Sequence, residues 1–365
     1  MLGGALLPRD PQPSTFRTQQ VDGHVGGGLI CRAMHAMQLR RAARAETHPL
    51  LPVDLPEPSL GANELLLRVT ACGVCRTDLQ ICEGDLAAHK LPVVPGHQVV
   101  GRVEAKGPAV SGWNMGDRAG LAWLWGVDGT CAQCKEGREN LCMRAEFTGW
   151  DRDGGYATHV VARADFALQL PEGFADLDAA PLLCAGVIGY RSLKVSRIQP
   201  GGRLGLYGFG ASASLAIQVA RHWGCRVFVC TRSPADRERA RALGAEWVGA
   251  YEQLPPEPLQ AAITFAPAGS VVVGALRALD RGGTVAINAI HLDRVPELAY
   301  ADLWWERSIA SVANFTRDDA RELLALAPAI PIRPEREVYP LDEANTALAR
   351  LSRGEVRGAA VLQCA

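Results

Sequence analysis

A glycine-containing turn in the second half of the chain places the strongest constraint on its fold. The turn reads Gly208-Phe-Gly210-Ala-Ser-Ala213, and it joins a strand candidate at 203–207 to a helix candidate at 211–223. In this context Gly208 permits a tight turn, Gly210 lets the backbone approach a pyrophosphate, and Ala213 allows close helix–sheet packing. The helix N-terminus offers free N–H groups to phosphates. We therefore predict a dinucleotide-binding loop; the alternative is a purely structural turn.

The segments that follow this loop alternate between strand and helix patterns. Strands are predicted at 226–231, 259–265 and 283–288, and helices at 234–243 and 271–279. Strands that alternate with helices of about ten residues or more imply a parallel, doubly wound sheet. The first half of the chain instead has short β segments, such as 65–70 and 93–103, interrupted by Gly, Pro and Asp. That pattern is typical of irregular, mostly antiparallel β structure.

These patterns divide the chain into four parts. Residues 1–33 are rich in Gly, Pro and polar residues and lack periodicity, so we predict a flexible N-terminal extension. An ordered arm that packs on a partner subunit is the alternative. A mainly β domain is predicted over 34–186 and a nucleotide-binding domain over 187–325. Residues 326–365 return to a β pattern punctuated by proline.

Charge and composition exclude several classes of function. Lys and Arg number 38 against 39 Asp and Glu, and the formal net charge is −1. Neither nucleic acid nor an anionic membrane surface is therefore an expected partner. No apolar run reaches the roughly 18 residues of a membrane helix, and no secretory signal pattern is visible. We predict a cytoplasmic protein, in which the 11 cysteines fit metal ligation better than disulfides.

The end of the second predicted strand indicates which dinucleotide binds. Thr231, Arg232 and Ser233 stand where a carboxylate would bind the ribose 2′-hydroxyl of NAD and repel the 2′-phosphate of NADP. No acidic residue stands there, and Arg232 can pair with a phosphate. The sequence therefore favours NADP(H) over NAD(H). The alternative is a solvated Arg232 and NAD bound without its usual acidic partner.

A short cysteine-rich segment has the spacing of a zinc site. Asp128, Cys131, Cys134 and Cys142 follow the pattern D-x2-C-x2-C-x7-C, and three thiolates with a carboxylate can close a tetrahedral shell around zinc. A closed shell leaves no position for a substrate, so the predicted role is structural. Reduced thiols on a loop are the alternative, which we disfavour because exposed cysteines there would have no packing function.

A second set of candidate ligands, Cys75, His97 and Cys184, is scattered along the chain. Each has a simpler explanation when it is taken alone. A cysteine in an apolar stretch is usually a small buried side chain, and a histidine after Pro-Gly is usually a turn residue. Spacing cannot join three such distant positions into one site.

Several segments together give the chain a specific resemblance to a known family. They are GVCRTDL (73–79), VVPGHQVVG (93–101), GRENLC (137–142), GGYATHV (154–160), PLLCAGVIGYRSL (181–193), YGFGASA (207–213) and RSIASVANFTRDD (307–319). Through them the chain, from about Leu39 to Leu362, resembles the zinc-containing alcohol dehydrogenases of the medium-chain dehydrogenase/reductase superfamily. The similarity is greatest to a bacterial subgroup of that family.

The resemblance implies both a fold and a chemistry. The implied fold is α/β, with a GroES-like irregular β-barrel catalytic domain, formed by the N-terminal half and the C-terminal tail, plus a Rossmann doubly wound parallel sheet. The implied enzyme is a zinc-dependent alcohol dehydrogenase or aldehyde reductase. It would transfer hydride between NADP(H) and a small-molecule alcohol/aldehyde pair, as a homodimer or homotetramer.

The resemblance also implies roles for particular residues. Two zinc ions per chain are expected, a catalytic one on Cys75, His97 and Cys184, and a structural one on the four residues of the cysteine-rich segment. Thr77 resembles the hydroxyl that passes on the substrate proton, and Asp78 resembles the carboxylate that orients the histidine ligand. Arg76 and Arg317 resemble contacts on the phosphate side of the cofactor.

Three residues depart from the family pattern. Gln80 replaces a histidine that ends the proton relay in many relatives, so we expect the proton to leave through water. Gln98 replaces a glutamate near the metal, and Asp128 replaces the first of four cysteines. Two other hypotheses about the function therefore stay open. One is a zinc-free quinone or enoyl reductase on the same scaffold, and the other is a catalytically impaired relative with a binding role.

Overall fold

The structure is a computed structural model that describes residues 33–290, 292–330 and 332–364. The predicted N-terminal extension, 1–33, lies outside the described residues except for its last residue. Ala33 opens the first strand of the domain that follows, because it pairs with Pro56 in an antiparallel hairpin.

The described chain forms two main sheets and two separate strand pairs. In chain order the strands are β1 (Ala33–Leu39), β2 (Leu50–Pro56), β3 (Glu64–Val74), β4 (Gln98–Lys106), β5 (Arg118–Leu121), β6 (Leu124–Gly126), β7 (Glu146–Phe147), β8 (His159–Arg163), β9 (Leu168–Gln169), β10 (Arg203–Tyr207), β11 (Arg226–Cys230), β12 (Trp247–Gly249), β13 (Leu259–Thr264), β14 (Leu279–Ile287), β15 (Ser308–Ser311), β16 (Arg336–Pro340) and β17 (Ala359–Gln363).

Helices connect and cover these strands. In chain order they are α1 (Arg76–Glu83), α2 (Ala132–Lys135), α3 (Asp176–Ala179), α4 (Ala185–Val195), α5 (Ala211–His222), α6 (Pro234–Ala242), α7 (Gly269–Arg277), α8 (Tyr300–Leu303), α9 (Arg317–Leu326) and α10 (Ala344–Ser352). Short 3₁₀ turns are formed by Ala45–Thr47, Glu139–Leu141, Ala180–Leu183 and Leu341–Glu343.

The first main sheet is mostly antiparallel and is organised around β3. Strand β4 pairs along one edge of β3, while β17 and β8 pair with successive parts of the other edge. Strand β17 thereby joins the C-terminal tail to a sheet built from the N-terminal half. Leu65, Leu67 and Val69 recur every second residue on β3, and they are fully buried in the core beneath it. The predicted irregular β domain is confirmed.

Strand β4 starts later than the apolar run at 93–103 predicts. Regular pairing begins only at Gln98, because Gly96 has a φ of 99° and turns the chain. A Cβ at Gly96 would lie 2.3 Å from the ring of Tyr156, so glycine is needed for packing as well as for the turn. The consequence is functional, since this turn positions His97 directly before the strand.

The second main sheet has six parallel strands in the order β12-β11-β10-β13-β14-β15. Helices α5, α6 and α7 connect successive strands, which confirms the predicted Rossmann doubly wound sheet. Leu204, Leu206 and Tyr207 of the central strand β10 are all buried, as expected for a strand covered on both faces. The strand order reverses between β10 and β13, and the crevice at such a reversal is where ligands bind in these sheets.

Candidate active site

The fold brings Cys75, His97 and Cys184 together from three separate elements. Cys75 is the residue before α1, His97 ends the turn before β4, and Cys184 precedes α4. Their potential ligand atoms all lie within 4.8 Å of one another, and Cys75 Sγ is 3.4 Å from His97 Nε2. Tetrahedral zinc, with Zn–S bonds near 2.3 Å and Zn–N bonds of about 2.0 Å, separates a sulfur ligand from a nitrogen ligand by about 3.5 Å. The three side chains therefore fit a zinc ion.

Asp78 holds this group in place. Its carboxylate is fully buried and accepts hydrogen bonds from the backbone N–H of Cys75 (2.8 Å) and of Gly96 (3.2 Å). It also lies 3.1 Å from Nδ1 of His97. One carboxylate thus fixes both loops and turns Nε2 of the histidine toward Cys75, which is the arrangement that orients histidine ligands in metal sites.

The charges around this group favour a bound cation. A hydrogen bond with Cys184, together with burial, raises the pKa of Cys75 well above that of a free thiol. Burial lowers the pKa of His97, but Asp78 and Cys75 outweigh it and the net shift is upward. A divalent cation bound to these side chains would lower both pKa values, because it stabilises the thiolate and the neutral imidazole.

The cysteine-rich segment also folds into a compact group of potential ligands. One oxygen of Asp128 and the sulfurs of Cys131, Cys134 and Cys142 lie within 4.8 Å of one another. Cys131 and Cys134 are 3.5 Å apart, close to the separation expected on zinc. Asp128 has a second function, because its Oδ1 accepts hydrogen bonds from the backbone N–H of Thr130 (2.8 Å) and of Cys131 (3.0 Å).

The predicted nucleotide loop has the required backbone. Gly208 has a φ of 93°, and a Cβ there would lie 3.0 Å from the backbone nitrogen of Ala266. Gly210 caps the N-terminus of α5 and has open space around it. Ala213 is fully buried in the first turn of α5. No side chain forms a capping hydrogen bond at the N-terminus of α5, so its N–H groups are available to a phosphate.

Comparison with known proteins identifies the family. A model of the alcohol dehydrogenase GroES-like domain matches residues 61–172, and a model of zinc-binding dehydrogenases matches residues 211–328. A probable alcohol dehydrogenase AdhA of Mycobacterium tuberculosis is 49% identical over 90% of this chain and 97% of that protein. The chain belongs to the zinc-binding alcohol dehydrogenases. Its reaction class is therefore alcohol and aldehyde oxidoreduction.

Two further comparisons agree with this assignment. An alcohol dehydrogenase of Geobacillus stearothermophilus is 32% identical over 86% of this chain and 96% of that protein. The structure of a cinnamyl alcohol dehydrogenase from Sorghum bicolor superposes with a TM-score of 0.82 at 28% identity, covering 91% of this chain and 98% of that one. The combination of GroES-like and Rossmann domains is confirmed.

Two of the positions that depart from the family pattern, Gln80 and Gln98, lie near Cys75 and His97 in sequence. Gln98 is buried beside His97, and its Nε2 has no hydrogen-bond partner among the described residues. Gly73 makes room for it, since a Cβ at Gly73 would lie 2.6 Å from Gln98 Oε1. The Oε1 of Gln80 is likewise buried without a described partner. Thr77 is buried in the first turn of α1, three residues before Gln80.

Two of the four predicted cofactor contacts outside the glycine loop are accessible at the surface. Arg76 at the start of α1 and Arg232 after β11 are exposed, whereas Thr231 is buried. Arg237, which sequence reasoning missed, donates from Nε to the carbonyl of Thr231 (2.9 Å). A second guanidinium therefore lies beside the segment that would contact the ribose 2′ position.

Arg317 has a different partner from the predicted phosphate. It begins α9, and its Nε and Nη2 bind the carboxylate of Glu139 at 2.6–3.0 Å. Its Nη1 donates to the carbonyl of Asp165 (3.1 Å). The guanidinium thus has a carboxylate partner on the cysteine-rich segment, and its contact with a cofactor phosphate stays a prediction.

An aromatic wall flanks the metal group on one side. Trp123 meets the ring of His97 edge-on at 4.9 Å between centroids, and it stacks on Phe147 at 5.0 Å and on Trp150 at 5.8 Å. Trp150 in turn stacks on His89. Nothing in the spacing of these residues along the chain predicts this wall. It gives this side of the metal group aromatic neighbours.

Proposed function

We propose that this chain is a zinc-dependent alcohol dehydrogenase or aldehyde reductase that uses NADP(H). The observation that supports it most directly is the convergence of Cys75, His97 and Cys184 within 4.8 Å. Among the described residues, no fourth His, Cys, Asp or Glu belongs to that group. A metal held there would keep one coordination position open for a substrate oxygen, as catalytic zinc sites do.

Zinc held by these three side chains would supply a Lewis acid for the oxygen of the alcohol or aldehyde. Other side chains of the protein would orient the histidine ligand and transfer the substrate proton. Asp78 fixes the tautomer of His97 through Nδ1, and the Thr77 hydroxyl is proposed to pass on the substrate proton. Gln80, one turn further along α1, can hydrogen-bond but cannot titrate, so the proton would leave through water.

Two groups of residues would hold the cofactor. The backbone of Gly208 and Gly210, with the N-terminus of α5, would bind the pyrophosphate. Arg232 is exposed beside the position expected for the ribose. Arg237 donates a hydrogen bond to the carbonyl of the preceding residue, Thr231. Two cations and no acid at this point favour a 2′-phosphate, hence NADP(H).

The cysteine-rich segment is proposed to hold a second, structural zinc on Asp128, Cys131, Cys134 and Cys142. A homodimer or homotetramer and a cytoplasmic location stay predictions. No helix in the described part of the chain is long and apolar enough to cross a membrane.

A single assay tests this proposal. Purified protein with its zinc content measured is mixed with a panel of aldehydes and either NADPH or NADH, before and after treatment with a chelator. We expect aldehyde-dependent oxidation that is faster with NADPH, is lost on chelation and returns on addition of zinc. Activity toward quinones or enoyl substrates that survives chelation would instead support the zinc-free reductase, and NADPH binding without turnover would support an impaired relative.

The cofactor preference is tested by removing one charge. Arg232→Gln should raise KM for NADPH by about tenfold or more, because it removes a charge-assisted hydrogen bond to phosphate. KM for NADH should change little. The matched control is Arg241→Gln, an exposed arginine later on α6 that pairs with Glu238. Equal effects of Arg232→Gln on both cofactors would rule out a contact with the 2′-phosphate.

A further inference from the structure

One ion pair fastens the cysteine-rich segment near its last metal ligand. Glu139 lies in the 3₁₀ turn directly before Cys142 and is 8% exposed. It accepts hydrogen bonds from the backbone N–H (2.8 Å), Nε (3.0 Å) and Nη2 (2.6 Å) of Arg317. Both carboxylate oxygens are used, which is the strong two-pronged form of this pair.

The same arginine is connected to the other end of the segment. Its Nη1 donates to the carbonyl of Asp165 (3.1 Å), and the Asp165 carboxylate binds Arg163 at 2.7 and 3.0 Å. Arg163 donates to the carbonyl of Val127 (3.3 Å), the residue before Asp128. We call Glu139, Arg163, Asp165 and Arg317 the clamp.

An aromatic ring supports the two arginines of the clamp. The guanidinium of Arg163 lies 4.9 Å, and that of Arg317 4.2 Å, from the centroid of the buried Phe166 ring. Stacking on an aromatic face limits the freedom of a guanidinium and adds a cation–π attraction. Protein contacts alone therefore restrain both guanidinium groups of the clamp.

Apart from the clamp and a few local hydrogen bonds, only its metal would hold the segment together. Asp128, Cys131 and Cys134 are partly exposed, and the loop between them has no apolar core of its own. Metal binding is folding free energy for segments of this kind, so an unsupported loop would open as its metal left. The clamp holds residue 127 before the first ligand and residue 139 before the last.

We propose that the clamp preorganises the four ligands of the cysteine-rich segment and slows the release of its zinc. Glu139 is a positioning residue in this scheme: it keeps Cys142 close to the turn that carries the other three ligands. This inference rests on the proposed structural zinc but not on the catalytic one. It also gives a role to the pairing of Arg317 with a carboxylate.

The clamp reaches beyond the metal segment. Asn140, next to Glu139, donates to the carbonyl of Ala313 (2.7 Å). Ala313 lies in the loop between β15, the last strand of the nucleotide-binding sheet, and α9, which begins at Arg317. This loop includes Asn314 at a positive φ of 53°, a conformation that asparagine adopts more readily than most other non-glycine residues. The ordered metal segment therefore supports the loop that leaves the nucleotide-binding sheet.

The rate of zinc release tests the clamp. In the full chain carrying Cys75→Ser, which removes the catalytic group, zinc transfer to a coloured chelator reports on the segment alone. We expect zinc to leave Glu139→Gln about tenfold faster or more, because a neutral amide cannot replace the two-pronged pair. The control is Glu136→Gln, which makes the same charge change at an exposed position of the same segment. Equal release rates in the two variants would overturn the proposal.

A second variant keeps the test decisive if Glu139→Gln does not fold. Arg317→Lys retains the positive charge but loses the planar fork, so zinc release should again be faster than in the parent. A raised KM for NADPH in otherwise native Arg317→Lys, with unchanged zinc release, would establish the phosphate contact and overturn the clamp. A Cys75→Ser parent without zinc would also overturn it. Neither result depends on whether the native chain reduces aldehydes.

Discussion

The two groups of potential metal ligands are built in opposite ways. The group of Cys75, His97 and Cys184 is assembled from three elements that only the tertiary fold brings together. The cysteine-rich group, Asp128 to Cys142, comes from one short segment. The first is anchored by the fully buried Asp78, whereas the second is partly exposed and is tied to the rest of the protein at its ends.

This difference indicates that a metal would have a catalytic role in the first group and a structural role in the second. A group that the fold already holds gains little structure from its ion, so the ion is free to serve chemistry at an open position. A local segment with little core gains its structure from the ion, and its ligand shell is closed. Loss of metal should therefore abolish activity in the first case and lower stability in the second.

The largest expected contrast comes from removing one ligand in each group. Cys184→Ser should lower kcat/KM for an aldehyde at least about 1,000-fold, because the Lewis acid is lost. Cys134→Ser should leave the kcat/KM of the folded fraction within about threefold, yet lower the Tm by roughly 5 °C or more. Kinetics normalised to folded protein, with thermal unfolding of both variants, make the comparison. Equal losses of activity in the two variants would remove the distinction between the groups.

A smaller effect should follow from changing Asp78, the carboxylate that contacts His97. Asp78→Asn keeps the shape of the side chain but removes the charge that orients and polarises His97. We expect a loss of about 10- to 100-fold in zinc affinity or in kcat/KM, as for other carboxylates behind histidine ligands. The control is Asp85→Asn, an exposed position just after α1. An Asp78→Asn enzyme with native zinc affinity and native kcat/KM would show that the orientation of His97 does not depend on this charge.

The same contrast explains which parts of the molecule could be predicted. The strand–turn–helix at Gly208 and the ligand spacing from Asp128 to Cys142 are local patterns, so the Rossmann sheet and the cysteine-rich group were accessible from sequence. The grouping of Cys75 with His97 and Cys184 required the family resemblance, since no spacing rule spans three elements.

Features built from side chains that are distant in sequence could not be predicted in this way. The pair of Glu139 and Arg317 and the contact of Trp123 with Phe147 depend on how loops meet after folding. Glu139 even lies within a motif that carried the resemblance, but the motif gave it no role. The start of β4 at Gln98 was missed because the apolar run continues through a turn that only Gly96 permits.

The smallest expected effect concerns the two functions of Asp128. Asp128→Asn keeps an oxygen for the backbone amides of Thr130 and Cys131 but removes the anionic metal ligand. Zinc should leave the cysteine-rich segment about tenfold faster, while Tm measured in excess chelator stays within about 1 °C of the parent. Asp128→Ala removes both functions, so it should also lower that Tm by roughly 2 °C. If Asp128→Asn instead released zinc at the parental rate, Asp128 would be a turn residue only, and the three cysteines would hold the metal without it.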